Sequence, residues 1–85
     1  MAVYVDPLGP CLPNRRWRWN SSCHLFADDV DELHAFAMGI GLKRSWFQDH
    51  PRLPHYDLTP GVRARAVRAG AIEVSCREMV KTFMH

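Results

Sequence analysis

Between Asp29 and Leu42 the chain carries a complete set of helix signals, and they restrict what can surround them. Asp28 or Asp29 caps the start, and counting from Asp29 puts Glu32 at the N3 position of a capping box. Val30, Leu33, Phe36, Ala37 and Ile40 then recur at helical spacing as one apolar stripe. Gly41 supplies a left-handed stop, with Leu42 placed to fold back on the last turn. Such a stripe needs an apolar surface to cover it. In a single small domain of 85 residues, the surfaces on offer are short β-type runs.

Four such runs are legible: Val3-Tyr4-Val5, Cys23 to Ala27, Ser45-Trp46-Phe47-Gln48 and Ile72-Glu73-Val74. Two more helices are expected. One starts at Thr59 as N-cap with Pro60 as first residue and runs to about Ala69, closed by Gly70. The other opens on the capping box Ser75-Cys76-Arg77-Glu78 and carries Met79, Val80 and Phe83. Helices between successive strands favour right-handed parallel crossovers. The predicted fold is therefore α/β: residues 1–85 as a single domain, with an open, mostly parallel sheet of about four strands and two to three helices. Residues 6–22 hold Pro7, Pro10, Pro13, Gly9 and Asn20-Ser21-Ser22, which predicts a long irregular loop. In such sheets ligands bind beyond the carboxyl ends of the strands. Asp6, Asp28, the Gln48–Asp57 loop and Ser75 are thus expected along one edge.

The apolar fraction of 47% argues against disorder of the whole chain. No apolar run approaches the ~18 residues that span a bilayer, and Met1 to Asp6 lacks signal-peptide character. Cys11, Cys23 and Cys76 form no C-x-x-C pair, which suits reduced thiols and a cytoplasmic location. Net charge is only +2, against broad non-specific coating of DNA.

Chemistry concentrates in His55-Tyr56-Asp57-Leu58-Thr59-Pro60, where three proton-transferring or ligating groups precede a helix start. Three readings stay open. In the first, His24, His34 and His55 or Asp57 bind a divalent metal cofactor, with Tyr56 or Asp57 in catalytic roles. A water on that metal would be a hydrolytic nucleophile. In the second, Arg15, Arg16, Trp17, Arg18 and Trp19, with Arg63 near the second helix start, bind nucleic acid or a nucleotide. In the third, the polar run is structural: the histidines satisfy carbonyls, Asp57 and Thr59 serve the helix start, and the chain is a non-catalytic partner-binding module. No serine-nucleophile context, Gly-rich phosphate loop or zinc-finger spacing is present.

Several phrases together resemble a family of short bacterial and phage proteins known only as a domain of unknown function. They are Val3-Tyr4-Val5-Asp6, Cys23-His24-Leu25, Asp28, Glu32 to Ala37, Trp46-Phe47, His55-Tyr56-Asp57 and Gly70-Ala71. The resemblance covers most of residues 1–75 and carries no activity. It implies that His24, His34 and the His-Tyr-Asp run belong to one recurring pattern.

Overall fold

The computed structural model describes residues 2–10 and 21–83. Its organising strand is β3, Ser21–Ala27, preceded by β1, Val3–Val5, and the two-residue β2, Gly9–Pro10. Strand β4 is Tyr56–Leu58 and β5 is Ile72–Glu73. Helix α1 spans Val30–Gly39, α2 Pro60–Arg68 and α3 Cys76–Phe83.

The sheet is mixed and mostly antiparallel, which corrects the expectation of a mostly parallel one. Strand β3 pairs antiparallel with β1, β2 and β4, and β1 with β5 is the one parallel pair among the described strands. The third strand is also displaced. Arg44–Trp46 form a 3-10 turn, and Gln48 makes only an isolated bridge to His55, so β4 takes the place expected for residues 45–48. Aromatic residues alone did not make that segment a strand, because pairing is decided by a distant partner. The expected loop 6–22 is regular at both ends, where Gly9 pairs with Ser22 and Pro10 with Ser21. With β1 and β3 antiparallel, Asp6 and Asp28 fall at opposite ends of the pair, so the single-edge site is lost, and Asp28 is exposed at the approach to α1.

The helix signals are realised locally. Asp29 accepts from the Asp31 N–H at 3.1 Å, two residues on. Glu32 Oε1 is buried without a hydrogen-bond partner, so the cap forms but the expected box with Glu32 does not. Thr59 Oγ1 accepts from the Val62 N–H at 3.2 Å. Ser75 and Glu78 bond each other's backbone N–H groups reciprocally at 3.0 and 3.1 Å. Gly41, at φ 93°, donates to Met38 O while Leu42 donates to Ala37 O, the paired bonds of a Schellman stop.

Strand pleating divides the side chains between two layers. Val3, Val5, Cys23, Leu25, Tyr56 and Leu58 meet Leu33 and Ala37 of α1, Ile40 at its C-cap and Ala66 of α2 in the main core. Each buried aliphatic side chain there contributes about 1.5–3 kcal/mol. Val30, expected in the stripe, stays 39% exposed at the helix start. The opposite face carries a second, smaller core of Phe26, Leu53 and Met79, with Tyr4 and Val74 against it. Met79 brings α3 onto this face, and Leu53 anchors the loop that leads into β4.

Candidate metal centre on the second face

Residues alternate faces along a strand, so His24, Asp6 and Asp57 point away from the main core while Cys23, Val5 and Tyr56 point into it. Cross-strand register puts His24 directly opposite Asp57. His55, one bridge beyond β4, lies on the same side as Asp57. Ligand atoms of His24, His55 and Asp57 all fall within 4.8 Å of one another. Bonds of ~2.1 Å to a tetrahedral ion set ligand atoms about 3.4 Å apart, so small side-chain rotations close the group.

Each ring is oriented by an oxygen on its other nitrogen. His24 Nδ1–H donates to Asp6 Oδ2 at 2.6 Å, and the same carboxylate accepts the His24 backbone N–H at 2.6 Å. Asp6 is buried, only 3% exposed, and its carbonyl accepts from Arg63 Nε at 3.0 Å. His55 Nδ1–H donates to Leu53 O at 2.6 Å. Each ring is therefore left with Nε2 as its available ligand atom, the arrangement by which outer partners prepare histidine as a ligand. Leu53 is 5% exposed in the second core, so apolar packing holds the carbonyl that aims His55. The Gln48 amide donates to Asp57 Oδ2, leaving Oδ1 3.4 Å from His55 Nε2.

In this geometry a proton occupies the position an ion would take. Burial disfavours the His55 cation, but hydrogen bonds to Asp57 and Leu53 O, and the charges of Asp57 and Asp6, outweigh it and raise its pKa above 6.5. The hydrogen bond from His55 lowers the Asp57 pKa below 3.8 despite burial, with help from the His55 charge, Gln48 and His24. His24 is the most open member, with 38% of its side chain exposed against 10% for His55 and 30% for Asp57.

The fold does not assemble the expected His24, His34 and His55 trio. His34 lies on α1, over the other face, with Nδ1 2.8 Å from the Tyr56 hydroxyl and its ring against Phe47. Tyr56 is fully buried beside it and does not reach the cluster. Asp57 joins His24 and His55 in its place. Arg63 binds the Asp6 carbonyl and Glu73, the latter at 3.1 Å, and so ties α2 to β1 and β5. Arg15, Arg16, Trp17, Arg18 and Trp19 lie outside the described residues. The orienting role of Gln48 had no signal in sequence, since only the hairpin into β4 makes it a neighbour of Asp57.

Fold and site together define a small mixed α/β domain with two histidines and one carboxylate gathered on a sheet face. The chain belongs to the family DUF4031, proteins of unknown function, whose model matches residues 3–85. No curated protein and no solved structure matches it. Among the described residues, no helix is long and apolar enough to cross a membrane.

Proposed function

We propose that the protein binds one divalent transition-metal ion through His24 Nε2, His55 Nε2 and an Asp57 carboxylate oxygen, and that the centre is hydrolytic. The observation carrying this reading is the pair of outer hydrogen bonds, Asp6 on His24 and Leu53 O on His55, which leave Nε2 of each ring as the ligand atom in a group that also holds Asp57. Two imidazoles and one carboxylate suit zinc, manganese or iron. Three protein ligands leave a coordination position for solvent or substrate, the pattern of catalytic rather than structural sites. An ion there supplies acidified water and polarisation of a substrate oxygen. The residues of this chain hold the ligand geometry, with Asp6 and Gln48 as positioning groups.

The experiment is a titration of chelator-treated protein with zinc and with manganese, read by calorimetry. One ion per chain is expected, with His24→Ala, His55→Ala and Asp57→Ala each removing uptake. His34→Gln should leave it intact. A folded protein that takes up neither ion, or one in which His34→Gln abolishes uptake, refutes the reading.

A further inference from the structure

The segment from Lys43 to Arg52 passes round the β4 edge of the sheet and ends beside the cluster. Phe47 sets its ring against His34 and Tyr56 on the helix-covered face, and the next residue, Gln48, reaches Asp57 on the other. Along this path the chain presents cations and rings. Lys43 Nζ lies 5.6 Å from the Trp46 ring centre, and Arg44 Cζ lies 5.1 Å from that of Phe47. Trp46 is 51% exposed, although Phe47 already covers the core at this edge. From α2, Arg65 adds a third cation, donating to Ile40 O at 2.8 Å. The sequence has no acid between Glu32 and Asp49, nor between Asp57 and Glu73, so Lys43 to Gln48 and α2 carry positive charge without internal neutralisation, and Asp49 is the one acid on the Lys43–Arg52 path.

At the far end, His50 differs from the two candidate ligands. The Arg52 backbone N–H donates to His50 Nδ1 at 3.2 Å, which obliges Nδ1 to be the acceptor and leaves the ring proton on Nε2. His24 and His55 commit Nδ1 to an outer oxygen, whereas His50, its ring centre 6.3 Å from that of His55, accepts at Nδ1 and offers its Nε2–H as a donor. A donor suits an oxyanion oxygen and does not suit a metal. The Arg52 cation lies two residues on.

We propose that Lys43, Arg44, Trp46, His50 and Arg52 form a track for single-stranded nucleic acid, leading to the His24–His55–Asp57 cluster. Spaced cations meet phosphates, and the half-free Trp46 ring provides a stacking surface for a base. The reading of such a strand as the substrate rests on the proposed metal centre, whereas the binding surface does not. A lipid surface would ask for an apolar wedge, and on this segment Trp46 is the one large apolar side chain that is exposed.

The test uses chelator-treated protein and a fluorescent, unstructured oligodeoxynucleotide, followed by anisotropy over a range of salt. Binding is expected to weaken with salt, with a logarithmic slope near −0.7 per phosphate contacted. Lys43→Ala with Arg44→Ala should flatten that slope by about 1.4. Trp46→Ala should lower affinity roughly 5- to 150-fold. All these side chains are on the surface, and circular dichroism checks that each variant keeps its fold. No binding at low salt overturns the proposal, as does binding that these substitutions leave unchanged. A heparin-type polyanion bound equally well, with no effect of Trp46→Ala, reduces the face to a charge surface and also overturns it. The metal titration is separate: oligonucleotide binding without metal uptake sinks the metal centre and leaves the track standing, and the converse sinks the track alone.

Discussion

Replacing Asp6 by Asn keeps the shape of the side chain and removes one acceptor. The native carboxylate accepts two bonds from one residue, the His24 backbone N–H on Oδ1 and Nδ1–H on Oδ2, both at 2.6 Å. Asparagine has one oxygen and an NH2 group to put in their place. The backbone N–H cannot change its role, so the oxygen stays on it and the amide NH2 faces Nδ1. The imidazole then accepts at Nδ1 and carries its proton on Nε2, the atom needed for an ion. Binding metal must reverse that tautomer and set a donor against a donor. Loss of an outer-shell partner of this kind costs about 10- to 100-fold in metal affinity, or ~1.4–2.7 kcal/mol. A charge-assisted bond of ~1.5–3 kcal/mol is exchanged for a neutral one of ~0.5–1.5 kcal/mol, so the metal-free fold should lose only about 1–2 kcal/mol. Competition against a chromophoric chelator gives the affinity, urea denaturation gives the stability, and long-range ¹H–¹⁵N spectra give the tautomer. An Asp6→Asn protein that binds zinc as tightly as the parent, or whose His24 proton stays on Nδ1, refutes this reasoning.

Two further outcomes follow from the same geometry. His55 has its pKa raised above 6.5, so its contribution to metal-free stability is complete below about 6.5 and is lost as pH rises through the folded value. Asp57 has its pKa lowered below 3.8, so its contribution is present above about 3.8 and is lost as pH falls through the folded value. Metal-free protein should therefore be most stable between those limits. Added zinc should move the maximum to higher pH, because the ion displaces the His55 proton; urea midpoints with and without zinc that share one pH dependence contradict this. Leu53→Ala removes a side chain packed with Phe26 and Met79 and should cost about 2–5 kcal/mol in urea unfolding. It should also weaken zinc binding through the Leu53 carbonyl that aims His55; a full loss of stability with unchanged zinc affinity would separate the two.

What the sequence determined alone was everything set within a few residues. The caps at Asp29, Thr59 and Ser75 and the stop at Gly41 satisfy or end a helix by contacts two to five positions away, and each stands at the residue its pattern marked. Membership of a family of unknown function was also legible in the phrases of the chain. Strand partners were not, because a β-ladder is closed by residues tens of positions apart. The connection from β3 to β4 carries a helix, which favours a parallel return, yet it is long enough to turn back, and the pairing is antiparallel. The same blindness governed the site. His55, Tyr56 and Asp57 are consecutive, which reads as one group of reactive side chains in a loop. As part of an extended segment they alternate, sending Tyr56 to His34 across the main core and His55 with Asp57 to His24 on the other face. Only the tertiary register, His24 opposite Asp57, decided which histidine the carboxylate would meet.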